Sequence, residues 1–152
     1  MLSVLAIGHV VGGRTTPVDD DWDAVTATIR LDATRFTPAA LRGLEAFSHL
    51  EVLYHFHRVA GDAVHTGARR PRGNPDWPEV GIFAQRGKDR PNRLGVSVCR
   101  IEAVDGLEVH VRGLDAIDGT PVLDLKPVLR EFLPRGELRQ PAWASELMTG
   151  YW

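Results

Sequence analysis

Residues 94–114 read LGVSVCRIEAVDGLEVHVRGL. Two runs rich in β-branched residues, Leu94–Val104 and Leu107–Leu114, flank Asp105-Gly106. Asp-Gly is a strong two-residue turn signal because it tolerates the positive φ angles such a turn needs. The stretch therefore predicts an antiparallel hairpin. Upstream, Thr26, Thr28 and Arg30 alternate with Ala27, Ile29 and Leu31, the period of a half-buried strand spanning Val25–Leu31. Leu2–Val11, the aromatic-rich His49–Val59 (HLEVLYHFHRV), a short buried Val80–Ala84 and Val122–Leu125 complete the expected strands.

Helix is scarce. Thr37 can cap a turn with Pro38 at its first position and Leu41 and Leu44 facing the core, and Pro141–Met148 predicts a short C-terminal helix ending near Gly150. Strands joined mainly by turns predict a mainly β fold, an antiparallel barrel or sandwich with one or two short helices. No two glycines stand two residues apart, so the dinucleotide fingerprint is absent. There is no phosphate-binding P-loop, no internal repeat and no low-complexity tract.

The chain has 152 residues, 43% hydrophobic and 25% charged, which suits one soluble domain over residues 1–152. Its net charge of −2 gives no global support for nucleic-acid binding, although a local basic patch is compatible with it. Cys99 is the only cysteine, so neither an intrachain disulfide nor a cysteine zinc site can form. No signal peptide and no membrane-length apolar run is read, and a cytoplasmic location is expected.

Three long polar loops are expected at Gly12–Asp21, Gly61–Pro78 and Gln85–Arg93. The last two carry Arg69, Arg70, Arg72, Arg86, Lys88, Arg90 and Arg93. Pro91-Asn92 braces the third loop, and arginine forks there suit a carboxylate or phosphate; a solvated surface turn is the plain alternative. In LDAIDGTPVLDLK (114–126), Asp115, Asp118 and Asp124 can bind polar groups or accept a proton, or Asp118 can simply form an Asx-turn. His55 and His57 share a strand face, but no third ligand stands at a suitable spacing and no metal is expected. Asp19-Asp20-Asp21-Trp22 lacks the remaining ligands of a calcium loop and reads as a solvated acidic run. No Gly-x-Ser-x-Gly elbow is present.

In this order the segments resemble the TrmO, or TsaA-like, family. The resemblance rests on Phe47-Ser48-His49-Leu50 with Phe56-His57, Pro71 closing a basic loop, Gly81-Ile82-Phe83-Ala84-x-Arg86, Arg90-Pro91-Asn92-x-Leu94-Gly95-x-Ser97 and Asp118–Pro127. It covers residues 47–127 well. It implies a single antiparallel β-barrel, a homodimer, and S-adenosyl-L-methionine as methyl donor. The activity it implies is N6-methylation of N6-threonylcarbamoyladenosine in tRNA, beside the anticodon.

The family's cofactor contacts would fall on His57, Arg58, Arg86, the backbone near Val96, Asp115, Ile117 and Asp118, with an N-terminal contact near Asp20, Asp21 and Trp22. Asp118 and Asn92 are the expected proton-handling residues. Arg90 and Lys126 are expected to hold the threonyl carboxylate, and Arg69 and Arg72, with Arg70, Lys88 and Arg93, to line a basic rim for phosphates. The chain departs from the family at Gly87-Lys88, where Ser-Pro is usual, at Arg93, where Pro is usual, and in the acidic run. It also ends at Trp152, where tRNA-acting members often continue. These departures leave a smaller methyl acceptor, or a non-catalytic cofactor-binding module, as alternatives.

Overall fold

A computed structural model describes residues 1–152. Eight strands follow in chain order: β1 (Gly8–Val11), β2 (Thr26–Leu31), β3 (His49–His55), β4 (Ala68–Arg69), β5 (Val80–Gly81), β6 (Leu94–Asp105), β7 (Glu108–Arg112) and β8 (Pro121–Pro127). Six of them close an antiparallel barrel in the order β1-β2-β7-β6-β3-β8, while β4 and β5 pair as a separate ribbon. The only α-helix, α1, spans Ala142–Leu147. The expected mainly β, single-barrel class is the one observed.

The alternation read from the sequence sets the wall. Ile29 and Leu31 of β2, Leu50, Val52 and Tyr54 of β3, Cys99 of β6, Val109 and Val111 of β7 and Val122 of β8 point inward and are buried together. Leu41, on a 3₁₀ turn (Pro38–Leu41), joins this cluster, as do Leu114 and Ala116 from the β7–β8 loop. The hairpin turn is Gly106-Leu107, with Asp105 still paired to Glu108. Only Gly106 has positive φ, at 60°, so the turn needs glycine first and not the whole Asp-Gly pair.

Several expected boundaries shift for physical reasons. β1 begins at Gly8, opposite Leu31 where β2 ends; β8 runs on to Pro127, but after Ile7, which bonds Val122 and Asp32, the chain leaves it, and residues 1–5 are exposed, apolar Leu2 and Leu5 included. β3 ends at His55; the Phe56 N–H continues its register by donating to the Arg93 carbonyl, and a turn closed by the Val59 N–H on the Phe56 carbonyl then leads the chain away. The expected strand Val80–Ala84 divides into a two-residue strand and a 3₁₀ turn that buries Ile82 and leaves Phe83 exposed. The first helix is a 3₁₀ turn whose Thr37 side chain makes no cap bond. No helix is long and apolar enough to cross a membrane.

Candidate functional site

The antiparallel closure sends three connections out of one barrel end. They are the β1–β2 loop (12–25), the long β3–β6 connection (56–93) and the β7–β8 loop (113–120). The residues singled out in separate segments therefore meet at one rim. Lys126 does not: it pairs in register with Glu51, four residues from His55, or ~13 Å along the strand. It forms an outer-surface ion pair with Asp124 at 3.1 Å.

Asp115 is the hub of this end. Its Oδ1 accepts the Ser97 hydroxyl and, at 3.0 Å, the Tyr54 hydroxyl; its Oδ2 accepts the Tyr151 hydroxyl. Burial first, then the Asp115 charge, raises both tyrosine pKa values, so both phenols stay protonated donors. The same two causes push the Cys99 thiol up to about 12. Gly95 makes this arrangement possible: a Cβ there would lie 2.5 Å from the Tyr54 ring. The Leu94-Gly95-x-Ser97 pattern thus pairs a space with a donor. Tyr54, Ser97 and Tyr151 were not foreseen as a group. Tyr54 and Ser97 carried a signal, as polar residues at inward positions of alternating strands; Tyr151 carried none.

Asp118 is exposed at the rim, and its Oδ1 accepts the Gly12 N–H at 2.8 Å. Its own N–H donates to the Arg14 carbonyl, and the Gly119 N–H to Val10. Arg14 in turn donates to the Asp20 and Asp21 carbonyls and lies 4.4 Å above the Trp22 ring. Trp22 is buried, with its indole N–H on the Val18 carbonyl. Asp21 has φ 64°, a left-handed conformation. Arg58 reaches the Thr15 carbonyl at 2.9 Å. Asp21, Trp22, Arg58 and Asp118 therefore belong to one bonded assembly. Ile117, beside them, is buried.

Arg86 donates to the Val96 carbonyl at 2.7 Å and is otherwise exposed, close enough to Tyr54 to act on it electrostatically. His57 is exposed, 3.8 Å from the position a Gly119 Cβ would take. Partial burial and neighbouring cations, Arg93 for His55 and Arg58 for His57, lower both histidine pKa values. Asn92 sits exposed in a left-handed conformation, φ 63°.

The basic loop residues divide into two groups. Arg69 pairs with Asp89 at 3.1 Å, and Arg72 with Asp20 at 3.3 Å, so both charges are compensated. Arg70, Arg90 and Arg93 donate to the neutral carbonyls of Pro75 and Trp77, Gln85 and Val59 and keep their charge unbalanced. Two surface hollows of about 340 and 350 Å³ are lined by neither Arg86 nor Asp118, although the second touches Gly12, the partner of Asp118. The first is at the opposite barrel end, and the second lies between Gly12 and His110. The site is accordingly an open rim, suited to a ligand that presents both anionic and cationic groups.

Known proteins resemble this chain over more than half of its length. It is 38% identical over 122 residues to an Escherichia coli protein named tRNA (adenine(37)-N6)-methyltransferase, covering 74% of this chain and 51% of that one. It is 43% identical over 88 residues to a Rhizobium radiobacter protein named probable S-adenosyl-L-methionine-binding protein VirR, covering 58% and 47%. A crystal structure of TrmO from Pseudomonas aeruginosa superposes with a TM-score of 0.73 at 28% identity, covering 91% of this chain and 61% of that one. The chain thus spans about half the length of the two relatives compared by sequence. The profile of the tRNA-methyltransferase O N-terminal domain matches residues 14–132, from the bonded β1–β2 loop to just past β8, and the chain belongs to that family.

Proposed function

We propose that this chain is an S-adenosyl-L-methionine-dependent methyltransferase that N6-methylates N6-threonylcarbamoyladenosine in tRNA, next to the anticodon. Residues 1–152 act as one TsaA-like domain, as a homodimer in the cytoplasm. The observation that carries the reading is the convergence of Arg86 and Asp118 on one open rim, in a chain of this family.

The donor set suits the cofactor, which carries a carboxylate, an ammonium and a ribose diol. Arg86 leaves guanidinium N–H groups free for the carboxylate, and the second oxygen of Asp118 has no protein partner. Both oxygens of Asp115 are engaged by hydroxyls, so its contribution is to hold the loop backbone around Ile117 and Asp118. His57, Arg58 and the backbone of Asp21 and Val96 complete the contacts. The bound cofactor supplies an electrophilic methyl group on a sulfonium.

The acceptor nitrogen is a poor nucleophile because its lone pair is delocalised, so a group that takes or polarises its proton accelerates attack. Asp118 and Asn92 fill that role. Arg90, whose charge is uncompensated at the rim, holds the threonyl carboxylate in place of Lys126. Phosphate contacts fall to Arg70, Lys88 and Arg93, since Arg69 and Arg72 are already paired. The homodimer is supported by the outer face of β6, where Leu94, Val96 and Val98 are all exposed. The C-terminal apolar stretch is a weaker ground for it, since Trp143, Leu147 and Tyr151 are half-buried against their own chain.

The test is mass spectrometry after incubating the protein and cofactor with tRNA that carries N6-threonylcarbamoyladenosine but lacks its N6-methyl group, mixed with a small-molecule cell extract. The N6-methylated threonylcarbamoyl nucleoside is expected, and tRNA left without the methyl group alongside a methylated small molecule would contradict it. That second outcome is the small-acceptor alternative. It is favoured by the Asp19 and Asp20 carboxylates, which flank Arg72 and make part of the rim repel phosphate.

A further inference from the structure

We infer that Tyr151 is a positioning residue: its hydroxyl on Asp115 locks the C-terminal segment 142–152 across the loop end and holds both cofactor loops in register. This inference rests on the proposed cofactor site. The path of the chain is the first observation. β8 ends at Pro127, at the barrel end opposite the rim. Residues 129–142 are then exposed throughout, and their hydrogen bonds are local ones, such as Phe132 N–H to Leu129 and Gln140 to Ser145.

After this unattached run the chain returns to the rim and binds three loops. Glu146 accepts the Trp77 indole N–H at 2.7 Å. The carbonyls of Gly150, Tyr151 and Trp152 accept the N–H groups of Asp21, Trp22 and Asp23 at 3.0, 3.0 and 3.4 Å. Tyr151 then donates to Asp115.

The arrangement at Asp115 separates positioning from mere apolar docking. The barrel wall holds one carboxylate oxygen through Ser97 and Tyr54, and the other oxygen has Tyr151 alone. Asp115 is three residues before Asp118, whose backbone and carboxylate tie to Gly12 and Arg14 of the β1–β2 loop. The tail therefore grips the β1–β2 loop directly at Asp21–Asp23 and the β7–β8 loop at Asp115. Those two loops also bind each other, so the three segments form a closed circuit. Apolar docking would persist without the phenol hydroxyl; the circuit would not.

The test compares the unaltered protein with Tyr151→Phe, which keeps the ring and removes only the hydroxyl. Without ligand, hydrogen exchange should quicken in the variant at the Asp118 and Gly119 amides, which the tail does not touch. With S-adenosyl-L-methionine, exchange across 142–152 should slow in the unaltered protein, because coupling between the two sites is reciprocal. Calorimetry should show the cofactor binding about tenfold more weakly to Tyr151→Phe, the scale of one hydrogen bond to a charged group. Unchanged exchange at Asp118 and Gly119 would overturn the inference, as would equal or tighter cofactor binding by the variant. Should the unaltered protein bind no cofactor, the proposed function fails, and the ligand-free exchange still decides whether the tail fixes the loops.

Discussion

Along the β3–β6 ladder seven residue pairs, from His49↔Arg100 to His55↔Leu94, run without interruption, and the inward side chains are sealed. At the rim, a few residues beyond His55, no two of the three long loops share a ladder. They are joined by side chains reaching backbone, Asp118 to Gly12 and Arg58 to Thr15, and by isolated backbone bonds such as Asp118 N–H to the Arg14 carbonyl, while Arg86 ties its loop to Val96 of β6. The wall is held by apolar burial and the rim by charged groups near water. Perturbing the wall should cost stability with little change in the affinity of what remains folded. Perturbing the rim should do the reverse.

The largest separation is expected at Leu50, fully buried near the start of β3. Leu50→Ala should lower unfolding free energy by about 2–5 kcal/mol in urea titrations. A loss below about 1 kcal/mol would mean the wall does not carry the stability. Next is Gly95, at the junction of the two regions. Gly95→Ala drives a methyl group into the Tyr54 ring and should cost about 1–3 kcal/mol. Because Tyr54 also holds Asp115, this variant alone should impair stability and cofactor binding together.

Alkaline pH offers a third separation. The folded Cys99 thiol, at about 12, lies above its ordinary 9.0, so the unfolded chain releases the proton first. Its contribution to stability is complete below pH 9 and is lost progressively between 9 and 12. Tyr54 and Tyr151, also raised, act in the same direction above 10. Cys99→Ala should therefore flatten the onset of alkaline destabilisation and leave the later part. Unchanged steepness from pH 9 would contradict the burial of this thiol. The smallest effect belongs to the rim: Arg72→Ala, which removes an exposed pair with Asp20, should change stability by at most about 1 kcal/mol.

The same contrast explains what could be read in the sequence. Alternation in Thr26–Leu31 and His49–His55 and the Asp105-Gly106 signal gave the wall, because an inward residue repeats every second position. Strand ends were less legible, since they depend on partners: Leu2–Ile7 is as apolar as a strand, yet lies outside the β1 ladder. The rim was legible only as a set of polar segments. Nothing local ties Asp115 to Tyr54 and Tyr151, 61 and 36 residues away. Nor does the basic character of Arg69 and Arg72 reveal that Asp89 and Asp20 neutralise them. Lys126 read as part of the site because it follows Asp118 closely in sequence, whereas eight residues that include an extended strand carry it away.

Calorimetry of S-adenosyl-L-methionine binding to metal-free protein tests the rim most directly, with Arg86→Ala, Asp118→Ala and His65→Ala as variants. The unaltered protein and His65→Ala should bind alike, because His65 is exposed in the long β3–β6 connection and its backbone N–H contacts only Asp89. Arg86→Ala and Asp118→Ala should each weaken binding by about 1–3 kcal/mol, the cost of losing a hydrogen bond to a charged group. Equal affinity across all four proteins, or binding that appears only when a divalent metal is added, would contradict the site.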